Sequence, residues 1–349
     1  MSECVEAKMS QFVESKKNER NVGLQIFRML LKIIICFWVL LFHCLKRINR
    51  TSFRYIKLKK FHVPSFFFIS FFYFYPIIKE RNSIKMKSRL ERLFIPFTIW
   101  PIIIWLFNNI LYFIFKINIY NRAFQLEELI IQLITGRKFV IQLWFIFNLI
   151  FISIFFFIFS FFRESVFFTI MIFIGIICYI FQQNRFIYKI LENYPDCIIN
   201  SPGHLVSSFP IAIASLVTNK INIIQYLEYN RYKSFSIILP ILPLLFLYGT
   251  SNTYDGLDKN LFSFFAFLGF YLLPINKYLN KNIKNIIYIM TNYTNGIYCL
   301  HIIIYNFLKK EFKCSFSLIN CFLIYIICYI ISFLGTKIFI NYKIKYLFI

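Results

Sequence analysis

From Phe139 to Phe162 the chain runs without one charged side chain, and it does so again from Ile286 to Leu308. Each stretch meets the roughly 20-residue requirement for a helix that crosses a bilayer. In lipid every backbone N–H and C=O has to be paired internally, which leaves helices or closed barrels as the spanning structures. Ten apolar segments, at about 24–45, 61–79, 94–116, 139–162, 165–182, 205–219, 234–250, 260–275, 286–308 and 315–337, read as helical spans. Those at 205–219 and 260–275 are short, as tilted, broken or re-entrant helices are. The expected fold is therefore all-α, a polytopic transmembrane bundle of about ten spans. It divides into a polar N-terminal tail over 1–23, a transmembrane domain over 24–341 and a short basic tail over 342–349.

The chain is 59% hydrophobic and only 15% charged, with a mean hydropathy of +0.65, whereas a soluble domain carries about 25% charged residues. A soluble enzyme is excluded on that ground. Phe, Ile, Asn, Lys and Tyr use A/T-rich codons, so the 48 phenylalanines carry no functional weight of their own. The net charge of +24 sits in short loops between apolar spans. Placed there it sets topology and contacts anionic lipid rather than nucleic acid.

An even number of spans puts both termini on one side, and most loops favour the cytoplasm for that side, in a bacterial inner or plasma membrane. The loop from Lys46 to Lys60, with seven Lys/Arg, runs against the positive-inside rule. The nine cysteines show no CxxC and no metal-ligand spacing, so no metal is expected.

Within the first span, Lys32 and His43 stand in the run Leu31-Leu-Lys-Ile-Ile-Ile-Cys-Phe-Trp-Val-Leu-Leu-Phe-His43. Ionisable groups inside a span are costly and mark functional sites. Eleven helical steps leave the two side chains roughly 20° apart in angle and about 16 Å apart along the axis. Arg28 lies one turn before Lys32 on the same face. A second basic group, Arg89 and Arg92, sits in Ser88-Arg-Leu-Glu-Arg-Leu-Phe-Ile-Pro-Phe-Thr-Ile-Trp100, one turn before a span expected to open at Pro96, where a first-turn proline is tolerated. Arginines at that level either snorkel to lipid phosphate or bind the phosphates of a substrate bidentately. His301, in the middle of an uncharged span, needs a partner, either a structural hydrogen bond or a substrate.

Several stretches, in order, resemble acyltransferase family 3, the integral-membrane acyltransferases that include polysaccharide O-acetyltransferases. The first span resembles the family's arginine, ten residues, histidine pattern, with His43 in the histidine place. Val63-Pro-Ser-Phe-Phe-Phe-Ile-Ser70 resembles its VPLFFFISG segment, and Arg89 to Trp100 its RLxRLLIPYxxW segment. Leu143-Trp-Phe145 resembles LWFL, and Thr294-Asn-Gly-Ile-Tyr-Cys-Leu-His301 resembles TLGIYLIH; Ser208-Phe-Pro-Ile is similar to a weaker segment. Two positions depart from the pattern. The first-span arginine is Lys32, which keeps the charge and loses the planar fork. The glycine after Ser70 is Phe71, which blocks or shifts any close backbone approach there.

The resemblance implies transfer of an acyl group, usually acetyl, from acyl-coenzyme A to a hydroxyl of a cell-surface or exported glycan. Acyl-CoA enters as donor substrate, with no bound cofactor, and membrane lipids and the glycan acceptor are the other partners. His43 and Lys32 are the catalytic candidates, the imidazole as general base or acyl relay and the lysine holding the anionic donor or stabilising developing charge. Arg28, Arg89, Arg92, Trp144 and His301 are the substrate-binding candidates. Two other classes fit a polytopic basic chain: a transporter or flippase for a lipid-linked saccharide, and a catalytically inactive membrane homologue.

Overall fold

The computed structural model describes residues 62–114, 116, 123–135, 143–183, 202–221, 279–291 and 318–338, with parts of 29–37 and 293–304. The described residues contain helices and no strand. Nine helices are labelled in chain order: α1 His62–Phe72, α2 Tyr75–Lys79, α3 Ser83–Phe113, α4 Leu126–Thr135, α5 Trp144–Phe159, α6 Glu164–Gln183, α7 Pro202–Lys220, α8 Lys281–Thr291 and α9 Leu318–Ile338. Further helical residues lie within 29–37 and 293–304.

Among the described residues two helices, Ser83–Phe113 and Glu164–Phe181, are long and apolar enough to cross a membrane. Four more apolar helices, Ser65–Lys79, Trp144–Phe159, Leu205–Lys220 and Phe322–Gly335, are shorter. The expected spans at 234–250 and 260–275 lie outside the described residues. Polarity is distributed as a bilayer demands: Leu106, Phe107, Ile110 and Phe113 on α3 are exposed, while Asn148, Ser153, Ser215 and Ser332 are wholly buried.

Helix α3 begins well before the point its proline indicates. Asn82 caps it, its side chain accepting from the Lys85 N–H at 2.9 Å, so the helix opens at Ser83. Pro96 and Pro101 fall in its interior rather than in a first turn. Each lacks the N–H that would pair with the carbonyl four residues back. The consequence is that Arg89 and Arg92 stand on the helix itself, in its second and third turns.

A helix also forms inside the stretch 117–138, expected to be a bare connection. Its stripe Leu126, Ile130 and Ile134 is exposed, and Glu128, Leu129 and Gln132 turn inward, the four-residue spacing of one helix face. Its entry is pinned to α3: Asn109 exchanges two hydrogen bonds with the Phe124 backbone, at 2.8 and 2.9 Å, and the Trp105 indole donates to the Gln125 carbonyl at 3.1 Å.

Helix α7 packs against α6 and α1 most extensively and touches α5 as well. Polar side chains stitch these contacts, Ser215 donating to the Phe68 carbonyl and Asn219 to the Phe72 carbonyl at 2.6 Å. At one end of the bundle Arg81 donates to the carbonyls of Ser160 and Phe162, at 3.0 and 3.1 Å, and so covers the C-terminus of α5. Lys220 at the end of α7 pairs with Glu164 at 3.3 Å, and the Tyr75 hydroxyl donates to the same carboxylate. Beside them, the exposed Lys85 ammonium, 2.8 Å from Glu80, holds that carboxyl below its ordinary range. The chain reversals at 80–83 and 160–164 and the end of α7 thus meet at one level.

Between α6 and α7 the Ile213 side chain packs against Gly175, where an added Cβ would lie 3.1 Å from Ile213 Cδ1. Small residues allow such close packing between membrane helices. Gly175→Val is expected to destabilise by about 1–3 kcal/mol, while Gly175→Ala costs less because the neighbour is the end of a flexible side chain. Thermal unfolding of the purified protein in detergent checks this, and equal midpoints for Val and wild type would remove the close contact.

Candidate functional site

Arg89 projects from the second turn of α3 between α1 and α5. Its Nε donates to Ser153 Oγ at 3.1 Å, its Nη2 to Ser70 Oγ at 2.7 Å and its Nη1 to the Ser70 carbonyl at 3.4 Å. The guanidinium carbon lies 4.5 Å from the Phe74 ring centroid and 5.5 Å from that of Phe71, within cation–π range. Five N–H groups are available in a guanidinium. Three serve the protein, so two are uncommitted among the described residues.

One side of this arrangement opens onto a cavity of about 270 Å³. Lys32, Arg89 and Arg92 all line it, with the hydroxyl-bearing Ser70, Tyr73, Thr294 and Tyr298 and an apolar wall that includes Phe66, Pro96 and Phe145. No carboxylate lines it among the described residues. Arg92 is exposed and, among the described residues, spends only its Nε, on the Ser88 carbonyl of its own helix at 3.2 Å. Three cations, with no carboxylate among the described lining residues, in a partly apolar hollow can receive an anion carrying more than one charge.

The expected site residues divide in three. Lys32, Arg89 and Arg92 come together in the cavity from two distant parts of the chain. Trp144 and His301 stand one layer behind it. Trp144, half-buried at the start of α5, meets Phe145 edge to face at 6.3 Å, and Phe145 is the lining residue. His301 is 2% exposed, its Nδ1 lies 3.2 Å from the Ile297 carbonyl, and its ring centroid is 5.9 Å from that of the lining residue Tyr298. Arg28 and His43 lie outside the described residues.

Cys36, one turn after Lys32, approaches the Thr294 carbonyl at 3.6 Å and ties the first segment to the 293–304 segment. Sequence reasoning passed over Ser153, Tyr73 and Tyr298. The available signal was for Ser153: a hydroxyl deep inside the uncharged run from Phe139 to Phe162, well away from its ends, needs a partner, the same argument that singled out His301.

A family model described as an acyltransferase domain, that of acyltransferase family 3, matches residues 29–340. The chain belongs to acyltransferase family 3. None of the curated proteins and none of the solved structures compared with this acyltransferase matches it. Of the acyltransferase's two departures from the family pattern, Lys32 lines the cavity. Phe71 does not: it is wholly buried, its ring 5.4 Å from that of Phe156 and 5.9 Å from that of Phe74. Its bulk is taken up by the aromatic core, under Arg89, and not by the cavity.

Proposed function

We propose that this acyltransferase moves an acyl group, acetyl in the first instance, from acyl-coenzyme A to a hydroxyl of a cell-surface or exported glycan. It would act as a multi-pass membrane protein of about ten spans with both termini cytoplasmic. The observation that carries the donor half is the cavity lined by Lys32, Arg89 and Arg92 with no carboxylate among its described lining residues. Coenzyme A is a polyanion with a long uncharged arm of mixed polarity, and the cavity offers cations beside a wall of apolar and hydroxyl-bearing side chains. Its volume is at the small end of ligand pockets, which suits part of the donor, and the charges make that part the phosphates.

Depth supports the same reading. With the termini inside, the reversals near 80–83 and 160–164 and the end of α7 all fall on the cytoplasmic side, and these are the ends that Arg81, Glu164 and Lys220 join. Arg89 lies six residues, or about 9 Å, along α3 from that level, within reach of a cytoplasmic donor. On the helical spacing of the first span His43 is expected about 16 Å beyond Lys32, toward the acceptor's side.

In the proposed reaction Arg89 and Arg92 hold the donor phosphates. Lys32, in the same cavity, joins them in holding the anionic donor, and the pantetheine arm carries the thioester the remaining distance toward His43. Neutral His43 accepts the proton of the sugar hydroxyl as that oxygen attacks the carbonyl, and the coenzyme A thiolate leaves. Chemical analysis of surface glycan from cells with and without the gene tests the function. Base-labile acetyl esters are expected to vanish on deletion and return on complementation. Unchanged esters with impaired glycan export would instead fit a transporter.

A further inference from the structure

We infer that Ser153 is a positioning residue, holding the Arg89 guanidinium in the orientation that receives the donor's phosphate. The inference rests on the reading of the cavity as the donor site. Ser153 is wholly buried near the middle of α5, between Ile152 and Ile154. A serine there gains nothing from helix propensity, and its hydroxyl is costly to bury unless hydrogen-bonded. Its Oγ accepts from Arg89 Nε at 3.1 Å, across from α3 to α5.

That bond constrains what the other contacts leave free. Ser70 on α1 holds the Nη end of the fork, at 2.7 Å through its hydroxyl, and the Phe74 ring lies against one face at 4.5 Å. With Nε also fixed, the guanidinium plane is tied to two helices and cannot swing about the Ser70 contacts. The uncommitted N–H groups then keep one direction. An arginine fork fixed before binding loses less freedom when an anion arrives. Ser153 does not line the cavity, so its influence on a ligand passes through Arg89.

Isothermal titration of coenzyme A into the purified full-length protein in detergent micelles tests this. Ser153→Ala is expected to weaken binding about tenfold, the scale of one hydrogen bond to a charged group. Ser153→Thr, which keeps the hydroxyl, should stay within about twofold of wild type. Ser153→Val, of the same shape without the hydroxyl, should match Ala and replaces it if the Ala variant fails to accumulate. Added to Arg89→Ala, Ser153→Ala should cause no further loss, because the two act as one unit. Wild-type affinity in Ser153→Ala, equal losses in Thr and Val, or losses that add in the double variant would each overturn the positioning role while leaving the donor site standing. An Arg89→Ala variant that binds coenzyme A as tightly as wild type would remove the donor site and Ser153's role together.

Discussion

Arg89→Ala is expected to lose at least about 100-fold in acyl transfer, measured as coenzyme A release from acetyl-CoA in membranes containing the glycan acceptor. Charge-assisted hydrogen bonds are about twice as strong as neutral ones, and losing one partner of a desolvated charged pair costs several kcal/mol. The loss should appear mainly in the KM for the donor. Truncation also strips the Ser70 and Ser153 hydroxyls of the group they hold, so a charge-preserving control is needed. Arg89→Lys retains one positive charge but cannot reach both serines and a phosphate at once, and about a tenfold loss is expected. Full activity in both variants would make Arg89 a structural strut between α1 and α5.

His43→Ala is expected to act on the opposite half of the reaction. Removal of a general base lowers turnover by about 10²–10⁴-fold, and the protein should still accumulate in the membrane and bind coenzyme A as wild type does. Affinity and turnover are then separable: Arg89 governs the first, His43 the second. Retained turnover in His43→Ala removes the imidazole from the mechanism. Weakened coenzyme A binding would place it in the donor site instead.

The helical spans were legible because an uncharged apolar run of this length has few other places to go, and α3, α5 and α6 fall where such runs stand. Pro96 alone points to a helix that opens near it, whereas α3 opens at Ser83. The Asn82 cap, which satisfies an N–H at the true start, outweighs a proline that a long packed helix tolerates. Helix α4 was hidden in a connection because ten residues with a four-residue apolar stripe are too short to stand out beside full spans.

Arg89 and Arg92 were visible as a pair, and Lys32 as a charge in a span. That they share a cavity was not legible, since its walls come from positions as far apart as Lys32, Ser70, Phe145 and Thr294, and no local spacing links them. Ser153 is one serine among phenylalanines and isoleucines. Only the packing of α5 against α3 shows that it answers to an arginine 64 positions away.

The donor site is tested most directly by electron cryomicroscopy of the purified protein with a non-hydrolysable acyl-CoA. The expected result is phosphate density within about 3 Å of the Arg89 or Arg92 guanidinium, with the pantetheine arm running along Phe66 and Phe145 toward the first span. Donor density bound elsewhere, with this cavity holding only water or lipid, would contradict it.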